Sequence, residues 1–146
     1  MGELRWHGYV DRRDLQALSR IRAREAKALL NAGLNDGAYY LAGYAVECAL
    51  KACIAKETRR YEFPDKKRVD DSYTHNLKEL VRIAKLEESR RERLKQDALF
   101  EYYWQVVLNW SELSRYQRYG SEAASELFKA VNDRTHGVMA WIKQHW

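Results

Sequence analysis

Asp36–Lys56 reads DGAYYLAGYAVECALKACIAK, and the way this stretch folds decides everything around it. It is dense in Ala, Gly, Cys and Tyr, and only Glu47 and Lys51 interrupt its apolar interior. A helix that is apolar on all sides belongs in the middle of a bundle. Ala42, Gly43, Ala45, Ala49 and Ala52 let neighbouring helices approach closely, which favours tight helix packing. Glu47 and Lys51 stand four residues apart, so they share one face and can pair. A charge here is costly to bury and calls for partners. Either the pair closes the edge of the bundle, or Glu47 looks into a polar cleft.

Working outward, Asp11–Ala32 predicts a first helix. Leu15, Leu18, Ile21, Ala28 and Leu29 form its apolar stripe, and Arg12, Arg13, Arg20, Arg24 and Lys27 face water. Asp11 and Asp14 favour its start and Gly33 its end. Asn35-Asp36-Gly37 is a tight connection, so the first two helices form an antiparallel hairpin. Residues 57–73 hold the single proline, Pro64, and make one long polar connection. A short third helix is expected over Thr74–Lys85. Ser89-Arg-Arg-Glu92 matches a capping box and predicts a fourth helix running to about Leu108. Asn109–Gly120 (NWSELSRYQRYG) reads as an aromatic, arginine-rich loop, and Ser121 opens a last helix reaching nearly to the end. The expected fold is all-α: an antiparallel up-down bundle of four main helices plus one short helix, preceded by an arm over residues 1–10.

At 146 residues the chain suits one domain, residues 1–146, with a single core. A net charge of +5 is compatible with phosphate-bearing partners without demanding them. Cys48 and Cys53 lie five apart on the central helix, which fits neither a disulfide nor a zinc site. No metal or cofactor is expected. Met1–Val10 has no apolar run, and the longest uncharged run, Gly37–Val46, is about half of a membrane span. Together these predict a cytoplasmic protein without a membrane partner.

Three polar stretches stand apart from the core pattern. Thr74-His75-Asn76 places a histidine at a helix start, where it can pack and hydrogen-bond or face a ligand. Ser114-Arg115-Tyr116 pairs a cation with an aromatic ring, suited either to holding a phosphate and stacking a base or to fixing the loop by a cation–π contact. Asn132–His136, inside the expected last helix, reads as a solvated face. Glycine-rich phosphate loops, H-E-x-x-H and nucleophile elbows are absent from the sequence.

The order of these pieces resembles the HEPN family of prokaryotic helical proteins, over roughly Asp14 to Ile142. The second helix carries an A-x-E-x-A-L-K core at Ala45, Glu47, Ala49, Leu50 and Lys51. T-H-x-L-x-x-L follows at Thr74, His75, Leu77 and Leu80, then R-Y at Arg115 and Tyr116. The resemblance implies a homodimer with a cleft near its two-fold axis. It also implies pairing with a minimal nucleotidyltransferase in a toxin–antitoxin-like system. Catalytic members are metal-independent ribonucleases with an R-x(4–6)-H motif, in which histidine moves protons and arginine steadies phosphate. That motif lies near the start of the last helix in the catalytic branch. Here the late region offers Arg134 and His136, separated by one residue. The formal match, Arg68 and His75, falls between the second and third helices.

The expectation is therefore a non-catalytic or weakly catalytic binder of nucleotide or RNA phosphates, or of a nucleotidyltransferase. Lys51 and Arg115 hold phosphate, Tyr116 stacks and Glu47 orients the basic groups. One alternative is a ribonuclease using Arg68 and His75. The other is a structural subunit whose exposed Trp104, Trp110 and Trp146 cover a partner.

Overall fold

The computed structural model describes residues 10–59, 70–71 and 73–146. The chain is all-α, with seven helices and one 3-10 helix among the described residues. These are α1 (Arg12–Asn31), α2 (Asn35–Arg59), α3 (Leu77–Ile83), α4 (Glu87–Gln96), α5 (Ala98–Leu108), η1 (Glu112–Tyr116, the 3-10 helix), α6 (Ser121–Asn132) and α7 (Val138–Ile142). The expected bundle of four main helices plus one short helix is thus incorrect: two of the long segments are each broken in two.

The first break is at Asp97, whose extended backbone (φ −143°, ψ 94°) ends α4 and caps α5. Its Oδ1 accepts from the Phe100 amide at 3.0 Å, an N-cap bond that competes with helix continuation. Ser89, expected to cap this segment, lies inside α4 instead. Its Oγ accepts from the Trp141 indole N–H at 3.0 Å and stands 3.0 Å from Nε2 of His145. The second break, between α6 and α7, leaves Asp133–His136 in a turn rather than on a helix face. Asp133 Oδ2 accepts from the His136 amide at 2.8 Å. A Cβ on Gly137 would overlap the Asp133 carbonyl, so this turn excludes side chains there.

The hairpin of α1 and α2 follows its local signals. Asp11 and Asp14 form a reciprocal capping box. Gly33 (φ +77°) closes a Schellman motif, with Leu34 N–H donating to Leu29 O at 2.8 Å and Gly33 N–H to Leu30 O at 3.1 Å. Small residues set the approach of the two helices: Ser19 and Ala26 are the fully buried positions of α1, and Ser19 Oγ donates to Ala45 O at 2.7 Å. The larger side chains of the expected stripe, Leu15, Leu18, Ile21 and Leu29, are only half-buried, and Ala28 is exposed.

α2 is the central rod, touching α1, α3, α6, α7 and η1. Ala42, Ala45, Val46, Ala49, Leu50 and Ala52 are completely buried along it. Phe100, Trp104 and Trp141 fill the adjoining core, with Trp141 meeting Phe100 at 5.4 Å and Trp104 edge-on at 6.0 Å. Trp104 and Trp110 are therefore core residues, contrary to their expected exposure, and Trp146 is half-buried. Burial pushes the thiols of Cys48 and Cys53 up to about 11 and about 12, which keeps both protonated and unreactive. None of the described helices is long and apolar enough to cross a membrane.

One contact decides where η1 sits. The Trp110 indole lies directly on Gly43, where a Cβ would overlap its ring, and its N–H donates to Tyr40 O at 3.1 Å. Glycine normally weakens a helix interior by about 1 kcal/mol relative to alanine. At this position the sign reverses, and Gly43→Ala is expected to destabilise the protein by about 1–3 kcal/mol in urea denaturation, the usual cost of overpacking. A stabilised variant would contradict this packing.

Candidate functional site

Tyr40, Tyr44, Glu47 and Lys51 recur at helical spacing and form one face of α2. This is where the polar candidates gather. Glu47 is 2% exposed. Its carboxylate meets Nδ1 of His75 at 3.0 Å through both oxygens, and Nζ of Lys51 at 3.3 Å. Because the same carboxylate pairs with an ammonium, it acts as acceptor and Nδ1 carries the proton toward it. Nε2, on the opposite edge of the ring, faces Oε2 of Glu112 at 3.4 Å. The ring thus stands between α2 and η1.

The backbone around His75 is set by its neighbours. Asn76 caps α3, accepting from the Glu79 amide at 3.0 Å, and Thr74 Oγ1 accepts from the Asn76 amide at 3.2 Å. The T-H-N triplet therefore holds the imidazole between two capping side chains. Across the site, Ser111 and Ser114 form the reciprocal capping box of η1, and Trp110 pins the start of that turn to α2. The ring of His75 remains 44% exposed while the carboxylate behind it is covered.

Arg115 and Tyr116 occupy the end of η1, both exposed. The guanidinium lies 4.8 Å from the centre of the Tyr116 ring and interacts electrostatically with Tyr116 and Tyr40. Tyr40 continues the aromatic row, 5.9 Å from Tyr44 and 6.0 Å from Trp110, and Arg22 of α1 reaches over Tyr44 at 6.0 Å. The face consequently has two halves, an ionic one at Glu47, Lys51, His75 and Glu112, and a cationic-aromatic one at Tyr40, Arg115 and Tyr116. About two turns of α2, roughly 10 Å, separate Tyr40 from Glu47. Arg68 lies outside the described residues.

Sequence reasoning missed Glu112 and Tyr40, neither of which carries a local motif. It also misread His136, whose Nδ1 sits 2.8 Å from Asp97 Oδ2. Arg93 Nε approaches the same oxygen at 3.3 Å, and Arg93 Nη2 donates to Thr135 O at 2.8 Å. Burial alone raises the Asp97 carboxyl, but the bonds from His136 and the Phe100 amide and the nearby charges outweigh it and hold the group below its usual range. This cluster ties the two helix breaks together and is structural.

Two concavities lie away from these groups. One, of about 360 Å³, is bordered by Leu99, Tyr102, Tyr103, Ser125, Glu126 and Lys129. The other, of about 300 Å³, is bordered by residues 33–37 and Tyr119. Neither is bordered by Glu47, Lys51, His75, Arg115 or Tyr116. No group of three or more His, Cys, Asp or Glu side chains suited to a metal is found among the described residues. A scan against protein-family models, a search of curated proteins and a search of solved structures each find no match to the chain.

The buried carboxylate sets a testable energetic pattern. Lys51→Ala or His75→Ala alone leaves Glu47 one partner, whereas both together leave a covered charge unpaired. The double variant is therefore expected to lose at least about 1 kcal/mol more than the two single losses combined, measured by denaturant unfolding. Strict additivity would contradict the shared-acceptor arrangement.

Proposed function

We propose that the chain is a HEPN-type binding module, acting as a homodimer, whose α2–η1 face holds a phosphate-bearing ligand such as a nucleotide or a segment of RNA. The observation that carries this reading is the arrangement on one face of α2. A covered Glu47 orients Lys51 and His75, and η1 sets an exposed Arg115 beside an exposed Tyr116. Lysine and arginine offer charge-assisted donors to phosphate oxygens, and tyrosine offers a flat face for a base. Glu47 acts from behind, fixing Lys51 and the His75 ring without meeting the ligand. A minimal nucleotidyltransferase as partner belongs to the same proposal and rests on the sequence resemblance.

A second reading, metal-independent RNA cleavage, is favoured by one feature. A half-exposed imidazole backed by a buried carboxylate is an arrangement suited to proton transfer, with Nδ1 fixed and Nε2 turned outward. Glu112 occupies the outward side at 3.4 Å, so a substrate phosphate must displace it first.

Titration of the purified chain with ATP, GTP and a short RNA tests both. Binding is expected to saturate, and Arg115→Ala is expected to weaken it by about tenfold, the loss of one charge-assisted contact. Absence of saturable binding, or equal affinity in Arg115→Ala, would overturn the ligand reading. The same RNA samples, kept in chelator, report cleavage. Products that persist in His75→Ala exclude that imidazole as the proton-transfer group. Light scattering of the same preparation is expected at twice the chain mass of 17.3 kDa, and a single-chain mass would remove the homodimer from the proposal.

A further inference from the structure

The positive charge of the protein is concentrated on one helix. α1 carries six cationic and two anionic side chains, a net of four out of the five positive charges of the whole chain. Both anions are engaged, Asp14 in the capping box and Glu25 with Arg22. Arg22 points toward Tyr44 and the α2 face, and Arg12 is half-buried, donating to Trp146 O at 2.6 Å.

The remaining four cations are all exposed: Arg13, Arg20, Arg24 and Lys27. At about 100° per residue they fall within a strip of roughly 60° around the helix, running about 21 Å along it. No carboxylate lies in that strip, and Arg13, Arg24 and Lys27 make no ion pair among the described residues. Ala17 and Ala28, which border the strip on one side, are small and exposed, so nothing large rises beside it. Arg20 lies over the Trp146 ring at 4.8 Å and Lys143 approaches the same ring at 5.8 Å, which extends the strip onto the end of α7.

We propose that this outer strip of α1 is a second binding surface, one that tracks the phosphate backbone of a nucleic acid without reading its sequence. Its length matches about six nucleotide steps of one strand at 3.4 Å each. The chemistry selects this partner over other polyanions. A protein interface needs a large apolar anchor at its centre, and the centre of the strip is made of arginines. An interfacial membrane helix needs large exposed apolar side chains, whereas Leu18 and Ile21 are half-buried. Arginines outnumber lysines in the row, in keeping with phosphate contact. The surface is separate from the α2–η1 face and does not rest on the function proposed for it.

Fluorescence anisotropy with a labelled 20-nucleotide single-stranded RNA, from 25 to 200 mM salt, tests the surface. The variant Arg13→Gln/Arg24→Gln/Lys27→Gln alters only exposed side chains without ion pairs among the described residues, and glutamine keeps helix propensity. Its affinity at low salt is expected to fall at least tenfold. The slope of log affinity against log salt is expected to shrink by about 2, as the loss of three phosphate contacts on a single strand dictates. A control, Lys78→Gln/Arg91→Gln/Lys95→Gln, removes the same charge from other exposed positions and is expected to change the slope by less than half as much. ATP titration separates the two surfaces, because the α1 variant is expected to leave it unchanged whichever way the α2–η1 reading turns out. The proposal is overturned if the wild-type chain does not bind the RNA at 25 mM salt, or if the α1 variant keeps wild-type affinity and slope. It is equally overturned if the control loses as much as the α1 variant, or if the α1 variant loses binding to anionic vesicles while keeping its binding to RNA.

Discussion

A carboxylate withdrawn from water in the middle of an apolar helix is the constraint on which this molecule turns. Ionised groups cost several kcal/mol to bury, and only close partners offset that cost. Glu47 obtains one partner from its own helix, Lys51 a turn away, and one from a distant segment, His75. The distant partner matters more for architecture. It places the start of α3 against the face of that helix, and it presents a ring whose far edge meets Glu112 of η1. Three parts of the chain thus meet around one buried charge.

The rest of the scaffold serves this meeting by fixing the approach of its parts. Trp110 resting on Gly43 brings η1 down onto α2, at a position where a side chain on α2 would push it off. Asn76 and Thr74 fix the backbone on either side of His75. On the other side, Ser19 and Ala26 let α1 lie close against α2, which leaves the long side chains of α1 pointing outward. The same small-residue packing that buries the central helix therefore also gathers four cations in a row on the surface. Asp97, held as a charged group by His136 and Arg93, closes the opposite side and sets the angle between successive helices.

The central helix was legible because its apolar residues cover every side, a pattern that only a buried helix explains. The ends of α1 were legible too, since Asp11 and Gly33 are local signals whose physics is complete within a turn. The two broken helices were not. Apolar residues flank both breaks, Leu94 and Ala98 around Asp97 and Val131 and Val138 around Asp133–Gly137, so the stripe reads as continuous in sequence. The first break comes from Asp97 capping a new helix and the second from the turn that Asp133 holds. Ser89 shows the converse: it matches a capping box in sequence, but the indole of Trp141 claims its hydroxyl in three dimensions. In the candidate site, Glu47 with Lys51 could be read from their spacing of four. The closure of His75 onto Glu47, and of Glu112 onto His75, joins residues 28 and 37 positions apart, which no local pattern encodes.

The central claim is that the His75 ring is fixed by a hydrogen bond from its Nδ1–H to the covered Glu47. Nitrogen-15 NMR of the histidine side chains tests it directly. The account predicts a downfield, slowly exchanging imidazole N–H assigned to Nδ1 of His75, absent once Glu47→Gln removes the carboxylate. A His75 ring whose Nδ1 proton exchanges freely with water in the unsubstituted protein would contradict the account.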